Sequence, residues 1–313
     1  MERNDKLNPR RGTSGDSPKN IKPRVFRVEE ETALLPFLIR VLSDKSRSTV
    51  KSILANRQVE VNGRVTTQFN APLRPGDELT IRMEKASMAF YHPDVEILYE
   101  DRDLIVINKK QGLLSVATNS VKDKTAYHIL SDYVKGADPR NRIFVLHRLD
   151  RETSGVMMFA KNPGVQEQLQ EHWNEMVLER KYVAVVEGRP KKERDRISSY
   201  LQENKAMNVY SAAQGQLAIT NYVLLKSNRQ YSLLELELET GRKNQIRIHL
   251  AEMGHPVAGD TKYGAQSNPI HRLALHAHQL KFIHPTTRQV MDFQTEIPKR
   301  FALLVKQRSR PSS

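Results

Sequence analysis

Short apolar runs separated by turn-forming residues dominate most of the chain and predict more strands than helices. The runs typical of strands lie at residues 95–99, 104–108, 143–146, 156–160, 181–187, 217–225, 232–239 and 289–293. Helical spacing is clear at residues 125–133 and 166–176. Many strands alternating irregularly with few helices predict an α+β fold with a mostly antiparallel mixed sheet.

Residues 26–86 have a different pattern, which predicts a small separate α+β domain. Apolar residues recur at helical spacing over residues 34–42 and 50–54. Ser46 or Ser48 can cap the second of these helices. Short strands are predicted at residues 58–61, 64–66 and 78–81, and Asn62-Gly63 between the first two favours a two-residue hairpin turn.

Changes in composition predict the other domain boundaries. Residues 1–25 are polar and basic, which is typical of a disordered arm. Residues 86–92 are the candidate linker, residues 87–304 form the large domain, and residues 305–313 are predicted to be a frayed basic tail.

The chain is strongly basic, with 50 Lys and Arg against 36 Asp and Glu and a formal net charge of +14. Such a surplus indicates a polyanionic partner, either nucleic acid or an anionic membrane surface. No apolar run approaches the ~18 residues of a spanning helix, so nucleic acid is the expected partner and a membrane is not. The first residues lack the apolar core of a signal peptide, so we expect the protein in the cytoplasm.

The sequence has few of the groups that hold cofactors. The chain has no cysteine, which excludes disulfides, thiolate zinc sites and cysteine nucleophiles. Neither a Gly-rich dinucleotide fingerprint nor a P-loop is present, so no nucleotide cofactor is expected. The pairs His276 with His278 and His249 with His255 lack carboxylates at a spacing typical of zinc, so no metal is expected.

The segment HRLDRETSG, residues 147–155, lies between two predicted strands. A loop that is mounted on rigid strands is a common place for catalytic groups. Arg148 and Arg151 bracket Asp150, and their charges favour its ionised form. An isolated carboxylate of this kind is usually a solvated ion pair, but an anionic Asp150 in a catalytic loop would act as a nucleophile rather than an acid.

Four further motifs follow in order. They are KYVAVVEG at residues 181–188, GRKNQIRIHL at 241–250, GHPVAGDTKYG at 254–264 and RLALHA at 272–277. Together with HRLDRETSG, they make the chain resemble the pseudouridine synthases of the RluA type over about residues 90–300. The resemblance implies the fold of those enzymes and the isomerisation of uridine to pseudouridine in RNA, with no cofactor.

The resemblance also implies roles for single residues. Asp150 matches the nucleophile, Arg247 matches its ionic partner, and Tyr182 matches a tyrosine that stacks on uracil and takes part in removing a proton from carbon 5. Leu275 matches a residue of the pocket wall. Arg148 is expected to contact phosphate or to help hold the target nucleotide outside the RNA stack.

The chain departs from the family in two places. Asn244 stands where relatives commonly carry His, so no role of that His is transferred. The strand at residues 104–108 is followed by Lys109-Lys110-Gln111-Gly112, where relatives generally have Lys-Pro-x-Gly. The second departure affects the expected loop shape and not the expected reaction.

The small domain carries a run of basic residues with no acid between Asp44 and Glu60. Such a run is usually a solvated helix face. However, SRSTVKSILANRQVEVNGRV, residues 46–65, resembles the small RNA-binding domain of the S-four type, in which a helix and a VNG hairpin contact RNA backbone. The resemblance implies that the small domain binds RNA through Arg47, Lys51, Arg57 and Arg64.

We therefore expect a monomeric RNA pseudouridine synthase that acts on structured RNA, with large-subunit (23S) ribosomal RNA favoured as its substrate. The same reaction on transfer RNA is one alternative, and the small RNA-binding domain favours ribosomal RNA over it. A non-catalytic RNA-binding or ribosome-assembly factor is the other alternative. The presence of Asp150, Tyr182 and Arg247 together argues against a non-catalytic protein.

Overall fold

The computed structural model describes residues 23–55, 58–81, 90–118, 121–206 and 208–306. The chain divides into two compact units, Met1–Ala89 and Phe90–Ser313. Residues 1–22 of the predicted arm and residues 86–89 of the predicted linker lie outside the described residues. The first strand begins at Arg24, two residues before the predicted start of the small domain.

The small unit combines two helices with a four-stranded sheet. Its helices are α1 (Leu34–Val41) and α2 (Arg47–Ala55), and its strands are β1 (Arg24–Arg27), β2 (Thr32–Ala33), β3 (Val59–Val61), β4 (Arg64–Val65), β5 (Pro72–Leu73) and β6 (Glu78–Ile81). The sheet has the order β1-β6-β3-β4, and β2 pairs with β5. Both helices contribute buried residues to one core with β3 and β6.

Two local features of the small unit agree with the sequence pattern. The Ser46 hydroxyl accepts a hydrogen bond from the Thr49 amide at 3.2 Å and so caps α2. Asn62 and Gly63 have φ values of 49° and 75° and join β3 to β4, as a two-residue hairpin turn requires. Strand β1, which pairs with β6, was not predicted.

The large unit contains most of the helices and strands. Its described strands are β7 (Val95–Glu100), β8 (Leu104–Lys109), β9 (Phe144–Val145), β10 (Ser154–Ala160), β11 (Val177–Glu187), β12 (Arg194–Glu203), β13 (Val209–Ala212), β14 (Gln216–Ser227), β15 (Tyr231–Leu238), β16 (Leu275–Ile283) and β17 (Val290–Gln294). Its described helices are α3 (Ala126–Ala137), α4 (Pro163–Glu171), α5 (Trp173–Met176), α6 (Gln245–Glu252) and α7 (Lys299–Leu304), with a 3-10 turn at Thr261–Tyr263.

These strands form one path of hydrogen-bonded neighbours. Its order is β13-β12-β14-β15-β11-β16-β10-β8-β7, with β17 beside β16 and β9 beside β10. The pair β10 and β16 is parallel, whereas the other described pairs of this sheet are antiparallel. The predicted α+β class with a mostly antiparallel mixed sheet is confirmed.

Some predicted boundaries differ from the structure. The helix predicted at residues 166–176 is two helices, and it begins earlier because the Asn162 side chain accepts a hydrogen bond from the Val165 amide at 2.9 Å. The hairpin of β12 and β13 was missed because β12 is largely polar. Val305, predicted to begin a frayed tail, is fully buried against the core beside α7. No helix in the described parts of the chain is long and apolar enough to cross a membrane.

Gly155 lies where three strands meet. It pairs with Lys109 of β8 and with Ala277 of β16. Its φ is +122°, and a Cβ placed there would lie 2.1 Å from the Ala277 carbonyl oxygen. The parallel approach of β10 to β16 therefore requires glycine at this position.

Gly155→Ala should lower the free energy of unfolding by more than ~2 kcal/mol, because the new methyl group meets fixed backbone in a disfavoured conformation. Urea unfolding of the full chain measures this change. The control is Gly136→Ala in α3, where an added Cβ meets nothing within 4 Å, so the change should be neutral or stabilising by up to ~1 kcal/mol. Equal stability of the two variants would contradict the close approach of β10 to β16.

Candidate active site

Asp150 lies in the loop between β9 and β10, as predicted. Strand β10 is buried along all of its seven residues, and β9 pairs with its distant end at Phe159 and Ala160. This pairing holds the start of the intervening loop, and the pairing of β10 with β8 and β16 holds its end. The Asp150 side chain keeps 26% of its surface exposed, so the carboxylate is accessible although its neighbour Leu149 is buried.

Hydrogen bonds to the backbone hold the loop on both sides of Asp150. The Ser115 hydroxyl donates to the Leu149 carbonyl at 2.6 Å and accepts from the Leu149 amide at 3.0 Å. On the other side, the Gly112 amide donates to the Arg151 carbonyl at 2.8 Å. These contacts position the Asp150 carboxylate without using its oxygen atoms.

His147, the first residue of the loop motif, also has an anchoring role. Its Nε2 accepts a hydrogen bond from the Met158 amide at 3.1 Å, and its ring lies 5.4 Å from that of Trp173. Burial, together with the charge of Arg180, lowers the pKa of His147 to about 3. The imidazole is therefore neutral near pH 7, as an acceptor nitrogen must be.

A cavity of about 310 Å³ opens beside Asp150, within the range of roughly 300–1,000 Å³ that is typical of small-ligand sites. Five of the residues predicted from the sequence line it, namely Arg148, Asp150, Tyr182, Arg247 and Leu275. They come from separate parts of the chain. The fold thus brings the predicted nucleophile, its ionic partner and the tyrosine to one site.

Arg247, the third residue of α6, bridges two carboxylates. Its Nε and Nη2 donate to the two oxygens of Asp260 at 2.6 and 2.7 Å, whereas its Nη1 lies 3.6 Å from Oδ2 of Asp150. Burial acts to lower the pKa of Arg247, but the hydrogen bonds and charge of Asp260, with a contribution from Asp150, raise it overall. The guanidinium stays charged and faces Asp150 without forming a hydrogen bond to it.

Tyr182 comes from β11 at an irregularity in the sheet. The register against β16 shifts just before Tyr182, which pairs with Ala277. Burial raises the pKa of Tyr182 to about 12; the Arg180 charge opposes this rise and the Asp150 charge adds to it. The phenol is therefore protonated near neutral pH. It can stack on a ligand or donate a hydrogen bond, but it is a poor proton acceptor.

The two arginines that bracket Asp150 have different surroundings. Arg148 is exposed and lines the cavity. Arg151 is turned to Glu152, to which its Nε donates at 2.8 Å, and it is not among the lining residues. Leu275, at the start of β16, is 3% exposed and forms part of the apolar wall.

The remaining lining residues were not predicted from the sequence. They are Leu149, Thr153, Glu203, Leu238, Gly241, Arg242, Lys243, Asn244, Gln245 and Ile246. Glu203, at the end of β12, forms an ion pair with Lys243, so the unpredicted hairpin reaches the rim of the cavity. Asp260 belongs to the motif GHPVAGDTKYG. As the acidic residue of that motif, it was the feature of the sequence from which a contact with Arg247 could have been inferred.

Asn244 connects Arg247 to Tyr263. Its backbone is left-handed, with a φ of 57°, and its amide nitrogen donates to the Tyr263 hydroxyl at 2.9 Å. Its amide oxygen accepts from Nη1 of Arg247 at 3.1 Å. The Arg247 guanidinium also lies 4.9 Å from the centre of the Tyr263 ring, a favourable cation–π distance. The asparagine thus helps to orient Arg247.

The predicted RNA-binding residues of the small domain lie in the other unit. Arg47 and Lys51 are exposed on α2, and Arg64 is exposed on β4. Arg57 lies outside the described residues.

Three of the histidines considered as metal ligands, His276, His249 and His255, form side-chain hydrogen bonds within the protein, whereas Nδ1 of His278 is buried without a partner among the described residues. His276 contacts Ser154 and Thr295 at 2.8 Å each, and His249 contacts Thr220 and Ser199. Among the described residues, ligand atoms that lie close enough for a metal occur elsewhere, at Asp101, Asp103 and His284. Those groups bond to one another or to protein donors, with His284 Nε2 2.9 Å from Asp101 and the Thr286 hydroxyl 2.7 Å from Asp103.

Comparison with known proteins identifies relatives of this chain. The family model of RNA pseudouridylate synthase matches residues 103–252, a span that contains Asp150, Tyr182 and Arg247. An uncharacterised RNA pseudouridine synthase of Bacillus subtilis is 31% identical over 280 residues, covering 86% of this chain and 91% of the relative. An uncharacterised RNA pseudouridine synthase of Aquifex aeolicus is 32% identical over 296 residues, covering 88% and 94%.

Two further similarities concern a named enzyme and a solved structure. The ribosomal large subunit pseudouridine synthase D of Haemophilus ducreyi is 30% identical over 288 residues, covering 86% of this chain and 88% of that protein. The structure of human RNA pseudouridylate synthase domain containing 4 is 26% identical with a TM-score of 0.53, and the match covers 66% of this chain and 90% of the human chain.

Proposed function

We propose that this chain uses Asp150 to convert uridines of structured RNA to pseudouridine. The chain belongs to the RNA pseudouridine synthases of the RluA type and is therefore an isomerase. The observation that carries the proposal is the single cavity shared by Asp150, Tyr182 and Arg247. A separation of 3.6 Å between Arg247 and Asp150 is close enough to stabilise the anion. It also leaves the carboxylate oxygens without a hydrogen bond from the guanidinium.

In the proposed reaction, the carboxylate of Asp150 attacks the anomeric carbon of the target ribose and forms a bond to it. The bond from that carbon to N1 of uracil breaks, and the base leaves as a stabilised anion. Enzymes that cleave sugar bonds normally need a second carboxyl group as an acid, but an anionic leaving group makes this acid less necessary. The detached base turns, carbon 5 bonds to the anomeric carbon as the bond from that carbon to the Asp150 carboxylate breaks, and the proton lost from carbon 5 is balanced by one gained at N1.

Tyr182 is proposed to stack on the uracil while it turns. An aromatic ring in the cavity wall supplies a flat apolar surface and restricts the base to rotation in its own plane. The hydroxyl, whose pKa is raised to about 12 by burial, is poorly suited to remove the proton from carbon 5. The environment therefore supports the stacking part of the predicted role and argues against the phenolate as the base.

Basic residues around the cavity are proposed to bind the RNA backbone beside the target. Arg148 and Arg242 are exposed lining residues, and Lys243 lies at the rim. Turning a nucleotide out of an RNA stack costs a few kcal/mol, which contacts to neighbouring phosphates offset. RNA loops lower this cost because their bases are already partly unstacked.

Asp150→Asn should abolish pseudouridine formation, because the amide removes the negative charge and the nucleophile while keeping the size of the side chain. RNA affinity should stay within a few-fold, since the cation contacts remain. Pseudouridine in substrate RNA and filter binding measure the two effects. Asp132→Asn, an exposed position on α3, is the matched control, and full activity of the Asp150 variant would exclude the proposed mechanism.

Large-subunit ribosomal RNA is the proposed substrate. The similarity to the Haemophilus ducreyi enzyme supports it, as does the small unit with its basic helix. Transfer RNA is the competing substrate for the same reaction. We further propose that the chain works as a monomer in the cytoplasm.

Deletion of the gene should remove pseudouridine at one or more positions of large-subunit ribosomal RNA. Sequencing of pseudouridine in cellular RNA with and without the protein measures this loss. Complementation with the Asp150→Asn variant is the control and should leave those positions unmodified. Loss of pseudouridine from transfer RNA alone would show that the substrate proposal is wrong.

The small unit is proposed to be an RNA-binding domain of the S-four type that contacts phosphates. The exposed side chains of Arg47, Lys51 and Arg64 supply the positive charge. Helix α2 and strand β3 pack on one core, and β4 pairs with β3, so these charges lie on a fixed scaffold.

RNA affinity should fall steeply between about 50 and 200 mM salt, because each phosphate contact releases counterions. Replacing Arg47 and Lys51 by Gln should weaken binding and reduce the salt slope by roughly 0.7–0.9 for each phosphate that is no longer neutralised. Fluorescence anisotropy with the substrate RNA measures the slope. Arg74→Gln, an exposed change between β5 and β6, is the control, and equal slopes for all three proteins would rule out these contacts.

A further inference from the structure

Lys109 is the last residue of β8, and its side chain is completely buried. Its Nζ donates to the carbonyl oxygens of Leu113 at 2.8 Å, Lys110 at 3.0 Å and Arg151 at 3.3 Å. An ammonium group has three N–H donors, so each donor has one acceptor. Two of the acceptors belong to the turn after β8, and the third belongs to the catalytic loop.

The contact to Arg151 is next to the proposed nucleophile. The turn that begins at Lys109 also supplies the Gly112 amide to the same carbonyl, while Ser115 holds Leu149 on the opposite side of Asp150. A single segment of the chain therefore holds the backbone on both sides of the carboxylate. Within it, Lys109 is the contact that also brings a full positive charge.

A buried ammonium is costly unless its surroundings compensate the charge. Lys109 is compensated by the three carbonyl dipoles and by carboxylates from neighbouring segments, namely Asp150, Glu152 and Asp94, whereas Arg272 opposes it. An apolar side chain would fill the same space without this cost. A role in holding the loop that contains Asp150 and Arg151 would explain why the charged side chain of Lys109 is buried here.

We propose that Lys109 is a positioning residue for the reaction, holding the backbone after Asp150 and supporting the carboxylate anion from the protein interior. The inference rests on the proposed role of Asp150. Arg247 approaches that carboxylate from the cavity side through α6, and Lys109 acts from β8 below it. The charges of Lys109 and Asp150 attract each other.

The state of Lys109 depends on pH within an accessible range. Burial lowers the pKa of Lys109 to about 8, and the charges of Asp150 and Glu152 limit the fall. The ammonium is therefore present at pH 7 and lost as the pH rises above 8. A neutral amine has two N–H donors for three carbonyls, and the longest contact, 3.3 Å to Arg151, is the one that it would release.

The test is the single-turnover rate between pH 6 and 10, measured by tritium release from transcribed 23S ribosomal RNA that carries 5-tritiated uridine. The wild-type rate should fall through a midpoint near pH 8. Lys109→Met should be slower by ~10-fold or more at pH 7, because a displaced reacting group loses up to ~100-fold in rate, and it should lack this alkaline fall. Lys109→Arg, whose side chain stays charged, should move the midpoint upward by about one pH unit or more.

Lys135→Met, an exposed change on α3, is the control and should keep the wild-type profile. A wild-type rate that stays constant from pH 7 to 9.5, or the same midpoint in wild type and Lys109→Arg, would overturn the inference without requiring Lys109→Met to fold. Hydrogen exchange provides a readout apart from activity: amides of residues 147–153 should exchange several-fold faster in Lys109→Met, and unchanged exchange would also overturn it. Failure of the proposed function would look different from failure of this inference: the wild type would then release no tritium at pH 7.

Discussion

The guanidinium of Arg247, shared between Asp260 and Asp150, is the contact on which the site depends. A charged group at this depth is stable only if opposite charge and hydrogen bonds replace the lost water. Asp260, itself 2% exposed, provides both through two short hydrogen bonds and thereby fixes the plane of the guanidinium. The third guanidinium nitrogen, Nη1, lies 3.6 Å from Oδ2 of Asp150, so the positive charge of Arg247 also attracts that carboxylate. Both oxygens of Asp260 accept hydrogen bonds from Arg247, whereas the oxygens of Asp150, the proposed nucleophile, receive none from it.

Sequence patterns predicted those strands and turns whose signals lie in neighbouring residues. Two apolar runs flanking HRLDRETSG located the loop of Asp150, and Asn62-Gly63 located a hairpin turn, because strand pairing and positive φ leave strong signals in adjacent residues. Tyr182 and Arg247 were assigned through resemblance to a family and not through periodicity. Helix α6 illustrates why: Gln245, Ile246, Ile248, His249 and Leu250 are all buried, so the segment lacks the polar face that marks most helices.

Contacts between distant residues were beyond the reach of sequence patterns. Nothing near Ser115 indicates that its hydroxyl meets Leu149, and nothing near Lys109 indicates that its ammonium lies inside the protein. Likewise, the alternating charges of Arg194, Asp195 and Arg196 conceal a strand whose inward face packs Leu201 with Ala218 and Ile248. In each case the decisive partner is brought close only by the completed sheet.

The loop around Asp150 is held mainly through main-chain atoms, which every amino acid except proline supplies in much the same way. The shape of the loop therefore depends little on which side chains point outward from it, such as those of Arg151 and Glu152. Such an arrangement lets substitutions change the exterior of the loop, and with it any surface that the loop offers to RNA, while the carboxylate of Asp150, the proposed nucleophile, stays in place. Substrate preference and chemical competence can then evolve on separate sets of residues.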